Sequence, residues 1–98
     1  MQCFYVLVHG RLSWRPEQPP SGKLPIEKPA GFYCHRYVLA LNEAAASEKA
    51  FRRVRDNLKG LLGDGAATVE LEAEEVAIAP MHKLLKPDNR GHTFYETE

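Results

Sequence analysis

The sequence contains little cysteine, no long apolar run and no excess of either charge. Its 98 residues include two cysteines and one tryptophan, and thirteen Lys and Arg residues balance thirteen Asp and Glu residues. No window approaches the roughly 18 consecutive apolar residues that a membrane-spanning helix requires. The balanced charge differs from the strongly basic composition that is typical of nucleic-acid-binding proteins, so nucleic acid is not expected as a partner.

The N-terminal segment and the cysteines predict where the protein resides. Residues 1–8 are apolar but lack a basic n-region and a small-residue cleavage site, so they indicate a strand rather than a signal peptide. Two cysteines without a secretory signal indicate reduced thiols. We therefore expect a cytoplasmic protein without membrane contact.

The length and the charge distribution describe one domain with a dipolar surface. A chain of 98 residues with 44% hydrophobic content is long enough for one modest core and too short for two. Residues 1–62 carry ten Lys and Arg against five Asp and Glu, whereas residues 63–98 carry three against eight. The two parts of the chain therefore have opposite net charge.

Two strands flank a proline-rich segment in the first part of the chain. Residues 2–12 are apolar at odd and even positions, which is typical of a strand covered on both sides, and Gly10 within it predicts a bulge or a close approach. Residues 13–30 hold five of the seven prolines and predict a long loop. Residues 31–41 predict a second strand that is also apolar on both faces.

The second strand leads directly into an amphipathic helix. Asn42 is a favourable N-cap residue, and apolar residues recur at three-to-four spacing from Ala46 to Leu62. This pattern predicts a helix that packs one face on a sheet. Gly63 is the natural residue to end the helix, with Gly60 as the earlier alternative.

The remaining chain predicts a half-buried strand and three short elements. Residues 68–73 alternate between apolar and polar, and we expect a bulge near Glu74-Glu75 because the later apolar residues fall in the opposite phase. Pro80 is placed to start a single helical turn that reaches Leu85. Residues 87–91 predict a turn, and residues 92–95 predict a short final strand.

Together these elements predict a single α+β domain over residues 1–98. The second strand, the helix and the third strand form a right-handed crossover, so strands two and three should be parallel. The first strand fits between them, antiparallel to both. We therefore expect a split β-α-β arrangement, half of a ferredoxin-like fold, with sheet order 2-1-3, one long helix on one face and a short C-terminal strand.

Short motifs resemble those of a set of small uncharacterised bacterial proteins. Gly31-Phe32-Tyr33 followed by Arg36, the Glu- and Ala-rich helix and the ending at residues 91–96 are similar to the GFYxxR-type strand and the G-x-T/S-F/W-Y-x-E ending of that set. The resemblance covers about the last two thirds of the chain. It implies a related fold and no activity, since none is known for the set.

Cysteine and histidine residues could in principle form a mixed metal site. Cys3, His9, Cys34 and His35 lie on two strands that we expect to be neighbours. However, Cys34 and His35 are consecutive and point to opposite faces, and no Cys-x-x-Cys pair is present. We therefore predict buried thiols with no metal and no cofactor. The same geometry argues against a Cys/His nucleophilic pair.

Two charged surfaces are interpreted as solvated. The helix carries five cations that could bind phosphates, but it lacks interleaved aromatic residues and a glycine-rich phosphate loop. The third strand carries four glutamates that could act as paired carboxylates or bind a divalent metal. Facing water on an edge strand, they serve instead to prevent edge-to-edge association. The two sets are Lys49, Arg52, Arg53, Arg55 and Lys59 on the helix and Glu70, Glu72, Glu74 and Glu75 on the strand.

An aromatic-rich surface beside the proline-rich loop is the best candidate binding site. Aromatic residues and arginine are over-represented at interfaces and their hot spots. The alternative is a second small core in which the C-terminal tail covers the open sheet face. The candidate residues are Trp14, Tyr33, His35, Arg36, Tyr37, Phe94 and Tyr95.

Two function classes fit these observations. The first is a small non-catalytic interaction or regulatory domain that self-associates through its open sheet face, as a two-fold homodimer. The alternative is a small enzyme or ligand-binding domain with a pocket under the proline-rich loop, lined by Tyr33, His35, Arg36 and Tyr37. The sequence offers no nucleophile–base pair, cofactor loop or metal-ligand spacing, so we favour the first class.

Overall fold

A computed structural model describes residues 1–14, 29–62, 67–85 and 93–96. The strands are β1 (Gln2–Trp14), β2 (Gly31–Ala40), β3 (Ala67–Ile78) and β4 (Thr93–Tyr95), and the helix α1 spans Glu43–Leu62. A short 3-10 helix occupies Met81–Leu85. The predictions for the proline-rich segment, for Gly63 as the helix end and for the turn at residues 87–91 fall mostly or wholly outside the described residues.

The predicted sheet arrangement is wrong. The sheet has four strands in the order β3-β1-β2-β4, and every pair of neighbouring strands is antiparallel. It is therefore an antiparallel four-stranded sheet with one helix, and not a split β-α-β or ferredoxin-like layout with order 2-1-3. The prediction gave the short C-terminal strand no place in the sheet order, whereas β4 pairs with the outer edge of β2 and places Phe94 opposite Phe32.

The predicted bulge on β3 is confirmed. Leu7 pairs with Glu75 and Val8 with Ala73, so Glu74 is the extra residue between them. β1 also runs two residues beyond its predicted end at Leu12, because its last residues continue to pair with the start of β3. The bulge changes the direction of the Glu74 side chain.

The predicted helix and its apolar stripe are confirmed. The Asn42 side-chain oxygen accepts a hydrogen bond of 2.9 Å from the Ala45 amide, as an N-cap should. The helix passes Gly60 and ends at Leu62. The stripe packs on one face of the sheet, where β1 and β2 contribute most of the core. Its fully buried residues are Ala46, Ala50, Val54 and Leu58, with Phe51 half-buried beside them.

Gly10 confirms the prediction of a close approach. It lies opposite Phe32 in the β1–β2 pairing, and the Phe32 ring occupies the space that a Cβ atom at position 10 would need. Phe32 is fully buried and packs near Phe94 of β4, with ring centroids 5.8 Å apart. Glycine is therefore required here for packing rather than for a turn.

Cationic side chains donate hydrogen bonds to backbone carbonyl oxygens at the outer edge of β2. Arg36 donates to the carbonyl of His35, Arg53 to that of Tyr37 and Lys49 to that of Leu39. These three acceptors are two residues apart, so they point to the same side of the strand. Within the described residues, no strand pairs with β2 between Cys34 and Ala40. Two of the five helix cations thus bind the sheet rather than water alone.

No helix in the described part of the chain is long and apolar enough to cross a membrane.

Candidate functional site on the open sheet face

The structure divides the seven predicted site residues between the two faces of the sheet. We call the face opposite α1 the open face. Its side chains alternate along the strands with those of the core, and of the described helical elements only the 3-10 helix packs on it. Four predicted residues lie there, namely Tyr33, His35, Tyr37 and Tyr95, whereas Trp14, Arg36 and Phe94 lie on the α1 face.

The predicted site residues on the α1 face pack against the core or hydrogen-bond to neighbouring segments. Arg36 is 1% exposed between β2 and α1, and it donates a 2.8 Å hydrogen bond to the side-chain oxygen of Asn57. The Trp14 indole donates a 2.7 Å hydrogen bond to the Pro29 carbonyl. Arg36 and His35 therefore do not line one pocket, because they project from opposite sides of β2.

The open face carries a continuous layer of aromatic rings. The Tyr5 ring lies 5.7 Å from the rings of both His35 and Tyr37, and His35 meets Tyr37 edge-on at 5.7 Å. The ammonium of Lys83, from the 3-10 helix, lies 5.9 Å above the Tyr37 ring, within the range of a cation–π interaction. Tyr33, at 42% exposure, is the most exposed ring of this layer.

A polar cluster adjoins this layer and takes one side chain from each strand. Nδ1 of His9 lies 3.1 Å from a carboxylate oxygen of Glu74, and Nε2 lies 2.5 Å from the hydroxyl oxygen of Tyr95. The Tyr33 ring stacks on the His9 imidazole with centroids 4.5 Å apart and planes 9° from parallel. Only 8% of His9 is exposed. We refer to His9, Tyr33, Glu74 and Tyr95 as the His9 cluster.

For a neutral imidazole, the hydrogen bonds of the His9 cluster indicate one tautomer. An ionised carboxylate can only accept, so Nδ1 carries the proton that is donated to Glu74. In the neutral imidazole Nε2 is then the acceptor, and the Tyr95 hydroxyl donates to it. The imidazole is thus held at both nitrogens and on one face, which fixes its orientation.

Two backbone features allow this cluster to form. The β3 bulge places Glu74 beside His9, although the regular partner of His9 is Glu72. Gly31 lets Tyr95 cross β2, because a Cβ atom at position 31 would overlap the Tyr95 hydroxyl. Sequence reasoning expected the bulge and noted His9, but it missed the cluster because it treated the glutamates as solvated edge charges.

The cysteines are buried, and their surroundings favour the neutral thiol. Burial raises the pKa of the Cys34 thiol from 9.0 to about 11, although the Arg36 charge acts in the opposite direction. Burial also raises the pKa of Cys3. Cys34 lies on the α1 face and His35 on the open face, as their alternation on the strand predicted.

The raised pKa of Cys34 predicts a loss of stability in alkali. The unfolded chain releases this proton at lower pH than the folded chain, so the free energy of unfolding falls as the pH rises from about 9 to about 11. The contribution is at most about 3 kcal/mol, because the two pKa values differ by about two and each unit corresponds to about 1.36 kcal/mol. In urea denaturation across this range, we expect Cys34→Ala to lose less stability than the unchanged protein. Equal pH slopes for the two proteins would contradict the assignment.

No family model, curated protein or solved structure matches this chain.

Proposed function

We propose that this protein is a small interaction domain that self-associates, with the open face of one copy packed on the open face of a second. The observation that carries the proposal is the aromatic layer on the sheet face that α1 leaves uncovered. Tyrosine is enriched at protein interfaces, where its ring buries a large area and its hydroxyl retains a hydrogen bond. A second copy brings the same surface, so the contact is self-complementary.

The charges at the two edges of the sheet support a second copy as the partner and indicate how it is oriented. β3 presents exposed glutamates, while Lys49 and Arg53 lie at the β2 edge. A two-fold axis parallel to the strands places β3 of one copy across from β2 of the other, so the acidic edge of one copy faces the basic edge of the other. An in-plane axis across the strands would place glutamates against glutamates, which is unfavourable. The proposed dimer therefore has its axis along the strands.

The alternative of a ligand pocket has less support. Its four residues were Tyr33, His35, Arg36 and Tyr37, and Arg36 lies on the opposite face from the other three. A flat aromatic layer suits a protein surface better than a small molecule, which usually binds in a concave cavity.

Light scattering at micromolar concentration tests the proposal. We expect the mass of two chains, and a dissociation constant that rises with salt because the edge charges attract across the interface. Tyr37→Glu should weaken the dimer by about 100-fold, since it places a charge in the buried layer. The nearby Lys83 ammonium helps to keep the monomer of this variant folded.

The matched control is Arg55→Glu, which introduces the same residue on the exposed side of α1 and should leave the dimer intact. The mass of one chain at all concentrations would overturn the proposal. A dimer that tightens in salt would retain self-association but contradict the orientation of the axis.

A further inference from the structure

The geometry points to a divalent metal site of the zinc class on the open face, with His9, Glu72 and Glu74 as ligands. One ring nitrogen of His9 and one oxygen from each carboxylate lie within 4.8 Å of one another, and Nδ1 is the nitrogen that faces Glu74, at 3.1 Å. This inference goes beyond the proposed function and does not depend on self-association. Zinc binds imidazole nitrogen and carboxylate oxygen, and three protein ligands leave the fourth tetrahedral position for water or substrate.

The distances require only a small contraction around the metal. Zinc bonds to nitrogen and oxygen are about 2.0–2.2 Å long, so ligand atoms in a tetrahedral site lie about 3.4 Å apart. The two glutamate side chains are 60% and 40% exposed and can rotate to close the difference. His9, in contrast, is nearly buried and fixed, so it provides a rigid anchor for the two movable carboxylates.

The surroundings of His9 provide the outer support that metal-binding histidines usually have. A metal-bound imidazole commonly donates its other N–H to an oxygen, which fixes the ring and increases its basicity. Tyr95 places such an oxygen at Nε2. Metal binding at Nδ1 therefore moves the imidazole proton from Nδ1 to Nε2, and the Tyr95 hydroxyl changes from donor to acceptor. The proton number of the neutral imidazole is unchanged.

Access and charge are also consistent with a cation site. In a single copy of the chain, a groove of about 240 Å³ is lined by His9, Arg11, Glu70, Leu71 and Glu72, so Glu72 and His9 are reached from solvent. The Arg11 guanidinium lies 3.7 Å from the Glu72 carboxylate and competes with a metal for it. Removing this guanidinium should therefore strengthen metal binding.

Calorimetric titration of the full chain with zinc chloride tests the site, and cobalt absorption reports its geometry. We expect one zinc per chain with tetrahedral cobalt bands, about 10-fold weaker binding for Glu72→Gln and tighter binding for Arg11→Ala. Glu75→Gln is the matched control, because Glu75 is an exposed glutamate of the same strand outside the ligand set. Neither glutamine substitution changes a buried residue, so both variants should fold.

A second readout separates a metal site from a purely structural His9 cluster. Nitrogen NMR of the His9 ring should show the proton on Nδ1 in chelator-treated protein and on Nε2 with zinc. Absence of saturable binding at about 100 µM zinc would overturn the inference. Equal weakening by Glu72→Gln and Glu75→Gln, or an unchanged His9 tautomer, would also overturn it. The oligomeric mass measured with and without chelator tests the proposed function separately.

Discussion

Val54→Asp is expected to remove a large part of the stability of the domain. Val54 is fully buried at the centre of the α1 stripe, and the substitution places a carboxylate among apolar side chains. Burying an unpaired charge costs several kcal/mol even after partial relaxation. We therefore expect the free energy of unfolding to fall by about 4 kcal/mol or more. This is a large part of the total, which is about 5–10 kcal/mol for a domain of this size.

Urea denaturation followed by circular dichroism measures this loss. The matched control is Arg55→Asp, which introduces the same side chain at the next position on the exposed side of the helix. It is expected to change the free energy of unfolding by less than about 1 kcal/mol, because surface substitutions usually have small effects. Similar curves for both variants would contradict the packing of α1 on the sheet.

Gly10→Ala is the second substitution with a large expected effect. The new methyl group would occupy space filled by the Phe32 ring, which is itself fully buried and cannot move outward. Overpacking of this kind costs about 1–3 kcal/mol, and we expect a value near the upper end because the ring is confined. Thermal unfolding should show a clearly lower midpoint for this variant.

A double-mutant cycle identifies the cause. Phe32→Leu removes part of the obstructing ring, so adding it to Gly10→Ala should cost less than the two single changes together. The expected coupling is about 1–2 kcal/mol. Arg11→Ala, at the exposed neighbouring position on β1, should leave the midpoint nearly unchanged. Strict additivity of the two core substitutions would contradict a clash with Phe32.

Local patterns in the sequence predicted the elements, and pairing between distant segments decided the rest. Helix α1 was predicted from the spacing of Ala46, Ala50, Val54 and Leu58. Residues at this spacing form one apolar stripe on a helix, and such a stripe faces the core. The β3 bulge followed from a change of phase at Glu74. Such features depend only on neighbouring residues, and they were predicted correctly.

The sheet order and the His9 cluster depend on contacts that local patterns do not encode. β4 has only three residues, too few to show a period, and nothing in so short a segment indicates that it pairs with the edge of β2. His9 and Tyr95 are 86 positions apart, and they meet only because Gly31 leaves room for the tyrosine. The open-face tyrosines were identified in the sequence, but their separation from Arg36 required the strand geometry.

The occupied carbonyls of β2 have a consequence for the size of any assembly. An extended segment from another molecule adds to a sheet by donating its amides to free edge carbonyls. At His35, Tyr37 and Leu39 these acceptors already hold cationic donors, so strand addition there would have to displace charge-assisted hydrogen bonds. Strand addition at this edge is therefore disfavoured, while the open face is left available. In the proposed dimer, association should therefore stop at a closed pair rather than extend into a fibre.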